Sequence, residues 1–139
     1  MWDFYGLSGC NGHYLWEDLM IATMKRVIVF VADVEKCADF YRAMFDLSPI
    51  ESDLAADEWA ELDAGGCRLA FHKAHGAHGP TGSPAAPHKI VFYAEDVGAV
   101  QQELVRRGAP MDAVQTFGDL LLCDGTDPEG HRFQISNRA

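Results

Sequence analysis

The sequence predicts an α+β fold in which one strand-helix-hairpin unit is used twice. Two observations carry this. A β-branched and aromatic run over 26–32 leads into Asp33 and then into apolar residues at helical spacing, and the same order returns from Lys89 onward. Superposing Arg26 on Lys89, 63 positions later, aligns Val27 with Ile90, Val29 with Phe92, Phe30 with Tyr93, Asp33 with Asp96 and Val34 with Val97. With one residue added, Gly66-Cys67-Arg68-Leu69 falls on Gly130-His131-Arg132-Phe133.

Each element follows from local chemistry. The run Arg-Val-Ile-Val-Phe-Val-Ala favours a strand because β-branched and aromatic side chains pack well on a pleated surface. Asp33 is suited to accept hydrogen bonds from the first free N–H groups of a helix. Val34, Cys37, Ala38, Tyr41, Met44 and Phe45 then recur at steps of three and four, up to Leu47 before Ser48 and Pro49. Two strand-like runs, 58–62 and 68–72, flank Asp63-Ala64-Gly65-Gly66 and read as a hairpin. In the second unit, 89–94 is the strand and Asp96 the cap, and Val97, Val100, Leu104 and Val105 mark a helix ending at Gly108. Runs 119–123 and 132–136 form its hairpin, joined through Asp124, Gly125, Asp127, Pro128 and Gly130.

Residues 24–139 therefore read as one domain, with module one at 24–73, a linker at 74–87 and module two at 88–139. The linker follows from the breakers Gly76, Gly79, Pro80, Gly82, Pro84 and Pro87. Residues 1–23 mix aromatics and glycines without a period and read as an N-terminal extension of unknown role. A chain of 139 residues supports one well-built core more readily than two.

Composition narrows the function. A hydrophobic fraction of 48% with 23% charged residues is that of a globular protein rather than a disordered chain. A net charge of −10 repels phosphate backbones and anionic lipid, and no basic patch is evident to offset it. The expected partner is a small molecule, with neither nucleic acid nor membrane. No apolar run is long enough to span a bilayer and no export signal is visible, so the cytoplasm is the expected location. Cys10, Cys37, Cys67 and Cys123 form no CxxC pair and read as reduced, mostly buried thiols, with a catalytic role for Cys67 or Cys123 a minor alternative.

The segments VIVFVADVEKCADFYRAMF, CRLAFHK, IVFYAEDVGAVQQELVRRGAP and CDGTDPEGHRFQISNR together resemble the vicinal oxygen chelate superfamily of glyoxalases, bleomycin resistance proteins and extradiol dioxygenases. The most specific marks are Phe40-Tyr41 in the first helix and the Asp127-Pro128-Glu129-Gly130 turn. The resemblance implies two paired βαβββ modules forming a curved mixed sheet around a cavity. It also implies, in the enzymes, a divalent metal held by side chains on the first and last strand of each module. Those positions fall here on Arg26, Ala70, Lys89 and Gln134. Arginine offers no lone pair, alanine no donor atom, and lysine coordinates only when deprotonated, so neither metal nor other cofactor is expected.

Period-two alternation with the family geometry turns Arg26, Ile28 and Phe30, and Lys89, Val91 and Tyr93, toward the cavity, with Arg68, Ala70, His72, Arg132, Gln134 and Ser136 on the last strands. The candidate ligand-binding residues are thus Arg26, Ile28, Phe30, Trp59, His72, Lys89, Val91, Tyr93, Gln134 and Ser136. Arg26 and Lys89 are candidates for attracting an anion, or else for reaching solvent. Phe30 and Tyr93 are suited to stack on a flat group, and Trp59 to close one side. The favoured reading is a metal-independent small-molecule-binding protein of the bleomycin resistance type, pairing as a homodimer. Glu58, Glu61 and Asp63 are candidates for the acidic surface by which that branch holds cationic drugs. The alternative is a lyase, isomerase or dioxygenase whose displaced metal site draws on His72, His88, Gln134 and Glu61. His72, His75 and His78 otherwise read as solvated loop residues.

Overall fold

The computed structural model describes residues 21, 24–75 and 88–138, so all of the extension but Ile21 and most of the linker lie outside the described residues, as do Cys10 and His78. Each module runs strand, helix, three strands. Module one contains β1 (Arg26–Val31), α1 (Val34–Phe45), β2 (Ser48–Ile50), β3 (Trp59–Asp63) and β4 (Arg68–Lys73). Module two contains β5 (Ile90–Tyr93), α2 (Val97–Arg106), β6 (Gln115–Phe117), β7 (Leu120–Thr126) and β8 (Arg132–Ser136). The strand orders are β1-β4-β3-β2 and β5-β8-β7-β6, each with a parallel first pair and antiparallel pairs thereafter. The fold is α+β with two βαβββ modules, as the sequence predicts.

The short second strand of each module, β2 and β6, carries too few residues to show a period. Pro49 also argues against a strand, yet β2 is an edge, where a residue without an N–H is tolerated. The last hairpin departs further from expectation. Strand β7 continues through Asp124, Gly125 and Thr126, which read from sequence as a connection. Gly125 is a packing residue and not a breaker. A Cβ there would lie 2.4 Å from the Phe133 ring and 2.5 Å from the Met111 sulfur.

Both helices start as their caps predict. The Asp33 side chain accepts from Lys36 N–H at 3.0 Å and that of Asp96 from Ala99 N–H at 3.0 Å. One core spans the modules, built from Val31, Val34, Cys37, Tyr41, Leu69, Phe71, Val97, Leu104, Phe133 and Ile135 among others. Helix α1 supplies its centre. Phe45 stacks on Phe92 of β5 at 3.9 Å between centroids, and Tyr41 packs against both Phe71 and Phe133.

Polar contacts hold α1 at both ends. Glu129, in the β7-β8 turn, accepts from Ala32 N–H at 2.8 Å, from Asp33 N–H at 2.9 Å and from the Cys37 thiol at 3.3 Å. A carboxylate here satisfies N–H groups at the helix entry and meets the positive end of the helix dipole. Asp127 in the same turn accepts from the Tyr41 hydroxyl at 2.9 Å, from the N–H groups of Glu129 and His131 at 2.9 Å each, and contacts the His131 ring at 3.1 Å. At the other end, Arg107 donates to the carbonyls of Ala43 and Met44 and to the Asp46 carboxylate. The two sequence marks most specific to the family thus form the joint between its modules.

Candidate functional site

The side of each sheet turned away from the core carries the candidate residues. Cross-strand register lines up Ile28, Ala70 and Glu61 in one row, and Phe30, His72 and Trp59 in the next. The matching rows of module two are Val91, Gln134 and Asp124, then Tyr93, Ser136 and Leu122. All ten predicted residues fall on this side of the sheets, five in each module, but Ser136 is buried there. Ile28, Phe30, Val91 and Tyr93 are between 41% and 59% exposed, so both faces present apolar side chains that the core does not cover.

Arg26 and Lys89 do reach the expected positions, but neither charge is left alone. Arg26 Nε donates to Glu61 Oε1 at 2.6 Å, and a guanidinium nitrogen of Arg68 lies 3.7 Å from the same oxygen. Lys89 Nζ donates to Asp124 Oδ2 at 3.0 Å, with Arg132 at 3.4 Å. Glu61 and Asp124 are 63 positions apart, the offset that relates Arg26 to Lys89. The duplication therefore preserves a carboxylate between two cations in each module. Asp124 also accepts from the Gln134 amide at 3.0 Å, and Arg132 is further paired with Asp112. Burial pushes the Asp124 carboxyl up, but Lys89, Gln134 and Arg132 outweigh it and hold the group below the usual carboxylate range.

This arrangement does not suit a divalent metal. At the four positions where the resemblance implies metal ligands, Arg26 and Lys89 are occupied as cations, Ala70 is buried with no donor, and the Gln134 amide is turned to Asp124. Among the described residues no group of three His, Cys, Asp or Glu is placed to hold a metal. Of the displaced-site alternative, Glu61 is engaged by Arg26, Gln134 by Asp124, and His72 Nδ1 contacts the Lys73 carbonyl at 2.8 Å, while His88 is exposed.

The acidic candidates Glu58, Glu61 and Asp63 each make a contact within the chain. Glu58 pairs with His75 at 3.1 Å, and that contact holds its carboxyl below the usual range. Glu61 is 7% exposed beneath its arginines, and Asp63 Oδ1 accepts from Gly65 N–H. Among the described residues Cys37, Cys67 and Cys123 form no disulfide, and Cys37 and Cys123 are buried. Burial pushes the thiols of Cys37 and Cys123 up, which suppresses the nucleophilic thiolate.

Aromatic groups distinguish module one. The His72 ring lies 5.6 Å from Phe30 and 5.9 Å, edge-on, from Trp59, while the Arg26 guanidinium is 5.9 Å from the Trp59 ring centre. Trp59 thus stands beside the Arg26-Glu61 pair. Module two has Tyr93 alone in the corresponding row. Sequence reasoning missed the roles of Asp124 and Arg132. The 63-residue offset carries Glu61 onto Asp124, so the signal was present but masked by reading Asp124 as part of a turn.

A duplicated βαβββ scaffold whose two free faces bear apolar and ion-paired side chains defines a two-module α+β protein of the glyoxalase-like class. The profile of the Glyoxalase/Bleomycin resistance protein/Dioxygenase superfamily matches residues 23–135, and the chain belongs to that superfamily. No curated protein sequence matches it. Similar solved structures include TnmS3, an antibiotic binding protein from Streptomyces sp. CB03234, at 18% identity and TM-score 0.68, covering 83% of this chain and 94% of that one. TioX from Micromonospora sp. ML1 is 17% identical with TM-score 0.65, covering 85% and 100%. The fosfomycin resistance protein FosX from Mesorhizobium loti is 12% identical with TM-score 0.62, covering 86% and 94%. At these identities the likeness establishes the fold.

Proposed function

We propose that residues 24–139 act as one domain that binds a small molecule without a metal and without transforming it. The observation that carries this is a pair of equivalent ion pairs, Arg26-Glu61 and Lys89-Asp124, at the first-strand positions where the family resemblance implies chelating groups. Such pairs bring fixed, hydrogen-bonded charge to the floor of each face, while Ile28, Phe30, Val91 and Tyr93 supply apolar walls. The ligand lies between a module-one face and a module-two face. The antibiotic-binding relative TnmS3 supports a binding role on this scaffold.

A second copy of the chain completes the site in this reading. Exposed apolar side chains on both β1 and β5 favour an isologous dimer, in which face one of each copy meets face two of the other. No helix among the described residues is long and apolar enough to cross a membrane, which fits a protein working in the cytoplasm.

A thermal-shift series with divalent metals, a chelator and a panel of small hydrophobic compounds tests the proposal. Stabilisation by an organic compound, unchanged by chelator, is expected; at a hundredfold excess over Kd it amounts to about 2.7 kcal/mol. A large metal-dependent rise in Tm would instead favour the displaced-metal enzyme.

A further inference from the structure

The whole chain is acidic, yet cations gather at one end of module one. Lys25, Arg26 and Arg68 line a cleft of about 560 Å³ against the β3-β4 turn, together with Asp63, Gly65 and Gly66. Strand pairing creates the cluster: β1 and β4 are parallel with Arg26 beside Arg68, and Arg68 N–H donates to Lys25 carbonyl at 2.8 Å. The turn adds no bulk over the cleft, since a Cβ at Gly65 or Gly66 would meet nothing within 4 Å.

Charge in the cleft does not cancel. Lys25, Arg26 and Arg68 face Glu61 and Asp63, which leaves a positive excess. Glu61 is buried, and Asp63, exposed at the turn, has Oδ1 committed to Gly65 N–H. Arg26 uses only Nε on Glu61, and Arg68 approaches that carboxylate no closer than 3.7 Å. Their side chains are 39% and 50% exposed, so guanidinium N–H groups remain available to an acceptor. The corresponding arginine of module two, Arg132, is instead paired with both Asp112 and Asp124.

We propose that this cleft binds the anionic group of a small aromatic acid, a carboxylate, sulfonate or phosphoryl oxyanion held by Arg26 and Arg68. This deepens the small-molecule-binding reading and rests on it. Guanidinium forks match the planar spacing of oxyanion oxygens, and a recess focuses their field against the negative charge of the chain as a whole. The ligand's flat body extends along β1 from Arg26 over Ile28, about 7 Å further on, with Trp59 at its side.

Fluorescence titration of the full chain with 8-anilinonaphthalene-1-sulfonate, and with N-phenyl-1-naphthylamine as its counterpart lacking the sulfonate, tests this. The sulfonate is expected to bind at least about tenfold more tightly than the amine, with affinity falling as salt rises. Arg68→Gln is expected to remove about that tenfold while leaving amine binding within about twofold. Lys25→Gln acts in the same direction and serves if Arg68→Gln fails to fold. Lys36→Gln, an equal charge change on an exposed part of α1, leaves both affinities unchanged. Equal binding of the two probes, or equal effects of Arg68→Gln and Lys36→Gln, overturns the anion site and leaves the small-molecule reading standing. Absence of binding by either probe counts against both.

Discussion

The two hairpin turns descend from one repeated unit but have taken opposite uses. In module one, Asp63-Ala64-Gly65-Gly66-Cys67 closes on itself through Ala64 N–H to Cys67 carbonyl and leaves an open cleft beside it. In module two, Asp127-Pro128-Glu129-Gly130-His131 is driven into the other module, where Asp127 and Glu129 together take up Tyr41, Ala32, Asp33 and Cys37. Stability and recognition are thereby separated. A turn whose carboxylates are committed to buried donors has no freedom to meet a ligand, whereas its bare counterpart has that freedom and contributes little to the joint.

The contrast is broken most severely at Asp127. Replacing it with alanine leaves the Tyr41 hydroxyl buried without its acceptor and deprives two turn N–H groups and His131 of theirs. A loss of about 3–5 kcal/mol is expected by denaturant unfolding. Asp63→Ala, which removes one acceptor from an exposed turn, is expected to cost no more than about 1 kcal/mol. Similar losses at the two sites would show that the turns are equivalent after all.

Glycine substitutions sharpen the same comparison at smaller scale. Gly125→Ala forces a methyl group against Phe133 and Met111 and is expected to lower stability by about 1–3 kcal/mol. Gly66→Ala meets open space at a φ outside the left-handed region and is expected to fall within about 0.5 kcal/mol of the parent, by the same unfolding curves.

The smallest effect concerns the ion pairs of the two faces. Because Asp124 has its folded-state pKa lowered, it contributes stability at pH above the ordinary carboxylate range. That contribution disappears as pH falls through its depressed value. Asp124→Asn should therefore destabilise the protein near neutral pH and narrow its gap to the parent on acidification. A gap that widens toward low pH in Tm measurements would contradict the assignment.

Much of the fold could be read along the chain because its signals are local. Asp33 and Asp96 cap the helices they were expected to cap, and β8 keeps the predicted bounds. The alternation of β1 also held, with Arg26, Ile28 and Phe30 on the less buried side. The misses have a shared cause. Gly125 resembles a breaker in sequence, and only the approach of the Phe133 ring from the neighbouring strand shows why glycine is needed. A turn at Gly125 would take Asp124 out of the strand and with it the partner of Lys89.

By itself, then, the sequence determined the repeat, the two capped helices and the residues on each face, since these depend on period and on neighbours a few positions away. Its family resemblance also implies chelating groups at the positions of Arg26, Ala70 and Lys89. Tertiary structure decided what those residues became. The Arg26-Glu61 and Lys89-Asp124 contacts each join positions 35 apart, and the hold of Glu129 on α1 spans more than 90. Such pairings follow from strand register and from the docking of one module on the other, and no local pattern of residues encodes them.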